Sequence, residues 1–149
     1  MKAWGAGMNR LGAAVKVPGI PVKSDALRGQ AGTLGRLIWK FNIAVNRALI
    51  THREPIMDMQ LVQERIANAA MEMFASACVL SRLDSELQGV GQNGDSAPGN
   101  RQAAELFLKQ SFSRIRRNLA ELTDNDDRAL LETANFVLGK GQASGRNGR

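Results

Sequence analysis

Residues Ile66 to Leu80, IANAAMEMFASACVL, form a nearly uncharged stretch in which Glu72 is the single formal charge. At 100° per residue its apolar side chains point to every side, which is typical of a helix buried all round. Fifteen residues are too few to cross a bilayer, which takes about 20. Polar but still periodic turns extend the element to residues 58–87. The stretch therefore predicts the central helix of a bundle, with Cys78 as a small buried hydrophobic residue.

The composition favours helices. The chain has 149 residues, 44% of them hydrophobic, with no tyrosine and few aromatic residues. This length suits one domain with a modest core, and abundant Ala and Leu favour helix over strand. One cysteine and one histidine exclude an internal disulfide and a Cys/His zinc site. The single thiol indicates a reducing, intracellular compartment.

Hydrophobic periodicity and turn residues predict four helices, at about residues 33–53, 58–87, 101–122 and 124–138. Thr33 and Asp58 are predicted N-caps, and Gly139 is predicted to stop the last helix. Short connections predict an all-α fold, an up-down antiparallel four-helix bundle. Residues 1–32 read as a linker-like segment with Gly and Pro that joins something upstream to the bundle and contacts a membrane. Residues 139–149 read as a disordered basic tail.

Positive charge is concentrated in the first third of the chain. Residues 1–53 hold nine Lys/Arg and one acid, whereas the whole chain carries a net charge of +6. Such a segment suits an anionic surface: lipid headgroups, nucleic acid or an acidic protein face. Charge alone does not choose among them.

A second apolar stripe on the first predicted helix is bordered by cations. Its six residues, the candidate membrane or partner surface, are Arg36, Trp39, Lys40, Ile43, Arg47 and Ile50. Large apolar groups flanked by basic side chains are typical of interfacial membrane helices. The same pattern arises when the apolar side chains pack on another domain or subunit and long basic side chains cover the edges. Both interpretations remain open.

Candidate catalytic residues do not assemble into a site. Glu72 shares a polar seam with Arg65 and Asn68, which predicts an exposed or salt-bridged carboxylate rather than a general base. His52 ends its helix and is predicted to be a cap or surface residue. The glycines of residues 88–100 lack the Lys-Ser/Thr and the preceding strand of a phosphate-binding loop. No catalytic, cofactor-binding or metal-binding residue is assigned in this chain.

The run RIRR, Arg114 to Arg117, places three cations on the predicted outer arc of the third helix. No aromatic residues alternate with them, as a nucleic-acid reader would require. We interpret the run as a solvated basic face and expect no nucleic-acid partner.

The helices resemble the C-terminal helical domain of the very-long-chain acyl-CoA dehydrogenase group, which includes the related complex I assembly factor. The resemblance rests on QLVQERIANAA at residues 60–70 and VLSR at residues 79–82. ITHRE at residues 50–54 precedes them, and RIRRNLAEL at residues 114–122 takes the place of the penultimate helix. The likeness extends over Leu34 to Leu138 and lies in the order and spacing of four segments.

The resemblance implies a non-catalytic accessory domain of a flavoenzyme of fatty acid β-oxidation. In that family other segments bind FAD and acyl-CoA and carry the catalytic glutamate, and none of their motifs transfers to a position here. FAD is implied for the missing catalytic core. The implied partners are an acyl-CoA dehydrogenase core or second subunit and an anionic membrane surface. The implied location is cytoplasmic or peripheral on the inner face of a membrane, the mitochondrial inner membrane in eukaryotic members. The alternative is a free-standing helical adaptor with a protein partner.

Overall fold

The computed structural model describes residues 16–89 and 98–139, with the backbone alone at positions 98 and 99. These residues form four α-helices and two 3₁₀ turns, and no strand occurs among them. The helices are α1 (Arg28–His52), α2 (Gln60–Leu87), α3 (Pro98–Ala120) and α4 (Asp127–Val137), and the turns are Asp25–Leu27 and Glu54–Asp58. The predicted all-α helical bundle is confirmed.

Two clusters of buried side chains show that α1, α2 and α3 alternate in direction. The larger cluster joins the start of α1, the end of α2 and the first half of α3, through Leu27, Leu34, Leu80, Leu83 and Leu108. The smaller cluster joins the end of α1, the start of α2 and the residues after α3, through Ala48, Ile56, Val62 and Leu122. The three helices therefore run antiparallel in succession, and burial of these leucines is the main stabilising contribution.

The start of α1 lies before the predicted position. Thr33 is not the N-cap, because it lies inside the helix, where its hydroxyl donates to the Gly29 carbonyl over 2.9 Å. The chain instead enters the helix through the first 3₁₀ turn. The backbone N–H groups of Lys23 and Ser24 donate to the two carboxylate oxygens of Asp84, at 2.9 and 2.8 Å. These bonds anchor the entering segment to the end of α2, and they lower the pKa of Asp84.

The turn between α1 and α2 also differs from the prediction. Arg53 adopts a positive φ of 50° and reverses the chain after α1. Pro55 then supports the second 3₁₀ turn, which includes Asp58. Asp58 is therefore not the N-cap of α2; Met59 occupies that position. The amide of Gln63 donates to the carbonyls of Ile56 and Met57, both at 2.8 Å, and stabilises the turn.

The prediction that α2 is buried all round is wrong. Its buried residues lie on one face that packs against α1 and α3: Val62, Ala69, Met73, Ser76, Leu80 and Leu83. Met71 and Phe74 point outward and are 61% and 74% exposed. Cys78 is exposed as well, not a buried small hydrophobic residue. Two neighbouring helices cover only part of the circumference of a third, so an apolar outer face remains.

One side of α3 packs into the core of the bundle. Leu108, Ser111, Phe112 and Ile115 are all buried. The Ser111 hydroxyl lies 2.8 Å from that of Ser76 on α2 and 3.2 Å from the Glu72 carbonyl, so its buried polar atom is satisfied.

The last helix, α4, begins at Asp127 rather than at Asp124, and none of its residues is buried. Gly139 follows it at φ 68° and donates its N–H to the Phe136 carbonyl, as expected of a glycine that ends a helix. The predictions for residues 1–15 and for the 140–149 part of the basic tail lie outside the described residues. Most of the glycine-rich loop, residues 90–97, does so too.

Candidate functional site

The outer side of α1 carries the six residues predicted as a membrane or partner surface. We call them the α1 basic face: Arg36, Trp39, Lys40, Ile43, Arg47 and Ile50. Their spacing places them opposite Leu34 and Leu37, which are buried in the core. The three cations are exposed, Trp39 and Ile43 are half-buried, and Ile50 is 43% exposed. The helix therefore brings all six to one outward side.

All charged residues of the α1 basic face are positive. No Asp or Glu occurs between Arg28 and His52. Arg36 donates to the Thr33 hydroxyl over 3.0 Å. Within residues 16–89 and 98–139, no carboxylate forms an ion pair with Arg36, Lys40 or Arg47. Their positive charge is thus available to an anionic surface.

An open cleft of about 720 Å³ separates α4 from the body of the bundle. Its floor is apolar and comes from α1, α2 and the residues after α3, with Ala44, Ala48, Met59, Val62 and Leu122. Charged and polar side chains from α1 and α4 form the rim: Arg47, His52, Asp127, Arg128 and Glu132. His52 is the last residue of α1, as predicted, and it is half-buried on this rim.

An ion pair between Arg65 and Asp127, which the sequence analysis did not predict, joins α4 to α2. The two guanidinium Nη atoms of Arg65 each donate to one carboxylate oxygen of Asp127 over 2.6 Å, and both side chains are 16% exposed. The Arg65 hydrogen bonds hold the pKa of Asp127 below its usual range. The sequence shows Asp127 only as an acidic residue in the first turn of a helix. Its partner lies 62 residues away, and no local pattern could identify it.

Glu72 is salt-bridged, as predicted. Arg114 Nε donates to its Oε1 over 2.5 Å and Arg114 Nη2 to its Oε2 over 3.0 Å. These hydrogen bonds lower the pKa of the Glu72 carboxyl, with a further contribution from Ser111. A carboxylate stabilised in its charged form is a poor proton acceptor, so this geometry does not make Glu72 a general base.

The same pair corrects one residue of the predicted basic arc on α3. Arg114 does not belong to a solvated outer arc, because it turns toward α2 and is half-buried between the helices. Its guanidinium carbon lies 5.9 Å from the centre of the Phe107 ring. Arg116 and Arg117 are exposed, so only two of the three predicted cations face solvent.

Among the described residues, no Phe, Tyr or Trp side chain lines the 720 Å³ cleft, so this cleft offers no large aromatic ring on which an isoalloxazine could stack. Within residues 16–89 and 98–139, no group of His, Cys, Asp or Glu could hold a metal ion. No helix in this part of the chain is long and apolar enough to cross a membrane.

Comparisons with known proteins agree with the architecture. The family model "ACAD9/ACADV, C-terminal domain" matches residues 25–142. The very long-chain specific acyl-CoA dehydrogenase, mitochondrial, of Rattus norvegicus is 27% identical over 86 residues, 58% of this chain and 13% of that protein. The Bos taurus enzyme of the same name is 24% identical over 112 residues, 75% of this chain and 16% of that protein.

No solved structure matches the chain significantly. The chain spans about a sixth or less of the length of these relatives. The family model covers most of the chain and all four helices. The chain therefore belongs to the ACAD9/ACADV C-terminal domain family.

Proposed function

We propose that this chain is the accessory helical domain of a long-chain or very-long-chain acyl-CoA dehydrogenase. It docks the enzyme on an anionic membrane surface and supplies packing surface to the catalytic core or a second subunit. The substrate and FAD are bound by the core, and the oxidation of the acyl chain takes place there. The enzyme would then lie peripherally on the inner face of a membrane. Membership of the family supports the link to a core.

One observation carries the docking role: a helix without acidic residues carries three exposed cations on the same side as the exposed Ile50 and the half-buried Trp39 and Ile43. Basic residues near an anionic leaflet contribute about 1 kcal/mol each. Apolar side chains between them can enter the headgroup region, where Trp is favoured. The three cations together are worth roughly 3 kcal/mol, or about a hundredfold in affinity.

Vesicle co-sedimentation tests this role. The purified chain is mixed with phosphatidylcholine vesicles that contain phosphatidylserine or cardiolipin, and with phosphatidylcholine vesicles alone. We expect binding to the anionic vesicles only, weakened by salt because salt screens exposed charges. The variant Arg36→Gln/Lys40→Gln/Arg47→Gln should bind about a hundredfold more weakly.

A matched control distinguishes an effect of the α1 basic face from an effect of the net charge of the chain. Arg101, Arg117 and Arg128 are exposed on α3 and α4, and the variant Arg101→Gln/Arg117→Gln/Arg128→Gln loses the same three charges. It should retain most of the binding. Equal losses in the two variants would show that only net charge matters. Indifference of the wild-type chain to all vesicles would refute membrane docking and favour the free-standing adaptor.

A further inference from the structure

The outer side of α2 is apolar and, unlike the α1 basic face, carries no charge at its centre. We call it the α2 outer face, and its six exposed residues are Ala67, Ala70, Met71, Phe74, Cys78 and Ser81. Met71 and Phe74 at its centre are 61% and 74% exposed. The small residues on either side would let a second helix approach closely. Met71 and Phe74 are large apolar side chains about one helical turn apart, and their joint exposure indicates a contact surface.

Opposite charges mark the two ends of this face. Glu64 lies before it and Arg82 after it, and both are exposed. They are about five helical turns apart, so they lie on the same line of the helix, about 27 Å from each other. The level midway between them along the helix axis is that of residue 73, between Met71 and Phe74, although the Met73 side chain itself points into the core. The pattern is therefore self-complementary about the centre of the apolar patch.

We propose that a second copy of this chain covers the α2 outer face, with the two α2 helices antiparallel and a twofold axis that crosses this face at the level of Met73. A twofold contact pairs residue i with the residue equally far on the other side of the centre. Glu64 of one copy then meets Arg82 of the other at both ends. Met71 and Phe74 of the two copies pack together at the centre. Arg82 already pairs with Glu86 in its own helix over 2.9 Å, but the Arg82 side chain is 78% exposed, and an ion pair so close to solvent can exchange partners at little cost.

The size of the patch predicts a weak dimer. Two helices in contact over about 27 Å bury less surface than the roughly 1,200 Å² of a standard interface. We therefore expect dissociation in the micromolar range. The inference rests on the subunit-packing part of the proposed function. It is tested separately from membrane docking, because docking uses residues of α1.

Mass measurement by light scattering across protein concentrations is the first test. The wild-type chain should pass from monomer to dimer between about 1 and several hundred micromolar. Phe74→Asp should weaken the dimer by at least about thirtyfold, because it places a charge at the apolar centre. Leu106→Asp is the matched control, since Leu106 is exposed on α3 and outside this face.

Disulfide trapping tests the antiparallel register. With the axis at Met73, the two Cys78 thiols are about 15 Å apart along the helices and cannot bridge. In the variant Ala67→Cys, the new thiol lies about 1.5 Å along the axis from Cys78 of the second copy, so oxidation should give a covalent dimer. Ala67→Cys/Cys78→Ser should give none. Within one chain, positions 67 and 78 are about 16.5 Å apart along the helix, so their thiols cannot bridge.

Charge reversal tests the ion pairs proposed at the two ends of the α2 outer face. Glu64→Arg alone and Arg82→Glu alone should each weaken the dimer several-fold, and the double variant Glu64→Arg/Arg82→Glu should recover most of the loss.

Four results would overturn the proposal. They are a monomer at all concentrations, a dimer insensitive to Phe74→Asp, trapping of wild-type Cys78 with itself, and loss of vesicle binding in Phe74→Asp with the dimer intact. The last would make the face a lipid contact.

Discussion

Replacing Gly35 by alanine should destabilise the protein, although alanine is the better helix former. Gly35 is buried within α1, and a Cβ atom there would clash with the Pro18 carbonyl oxygen of the segment that crosses the helix. This segment also packs Ile20 and Val22 against the core. If it is displaced, each of these half-buried side chains loses about 1 kcal/mol. Alanine returns up to about 1 kcal/mol of helix propensity, so the net loss is roughly 1 kcal/mol.

Gly32→Ala is the matched control on the same helix. Its Cβ would meet only Arg36 Nη1, at 3.6 Å, which is an ordinary contact. It should therefore stabilise the protein by about 0.5–1 kcal/mol. Urea unfolding followed by circular dichroism at 222 nm should separate the two variants by about 1.5–2 kcal/mol. If Gly35→Ala stabilises the chain as much as Gly32→Ala does, the close crossing of the entering segment over α1 is wrong.

Three further predictions concern the polar contacts between helices. Ser111→Ala leaves the buried Ser76 hydroxyl without its partner and should lower the free energy of unfolding in urea by about 1–2 kcal/mol. The double variant Ser76→Ala/Ser111→Ala should lower it by less than the sum of the two single variants. Arg65→Met removes both hydrogen bonds to Asp127, so hydrogen exchange of the α4 amides should become roughly tenfold faster while the core amides stay protected. Since ion pairing lowers the pKa of Asp127 and Glu72 in the folded state, their stabilisation is complete above the unfolded pKa values of about 4 and is lost as pH falls through the folded values. The urea midpoint should therefore drop between pH 5 and pH 3 (roughly, from these pKa values).

Short-range patterns predicted four helices, and the described residues form four. Leu108, Phe112 and Ile115 on α3 show why such patterns work: apolar residues at helical spacing need a buried partner, and all three are buried in the core. The same rule failed for α2. An apolar side chain is compatible with burial in its own bundle and with burial against another molecule, and Met71 and Phe74 do not distinguish these cases.

Contacts that join distant parts of the chain could not be predicted. Asp84 receives hydrogen bonds from Lys23 and Ser24, 61 and 60 residues away. Such pairs depend on the packing of whole helices, whereas a sequence window shows only local neighbours. The N-cap predictions failed for a related reason: Thr33 is a suitable capping residue, but tertiary contacts extended the helix past it.

The six residues of the α1 basic face share one side of the helix, and their role stays a prediction. Their spacing alone determines which residues share a side of the helix. Whether that side meets lipid or protein depends on a surface outside this chain.

The most direct test of membrane docking is the fluorescence of Trp39 on vesicles. The chain has two tryptophans, so Trp4→Phe leaves Trp39 as the single reporter. With anionic vesicles that contain brominated lipids, the account predicts a shift of the emission to shorter wavelength and quenching of Trp39, both reversed by high salt. Unchanged and unquenched Trp39 emission on vesicles that bind the chain would contradict docking through the α1 basic face.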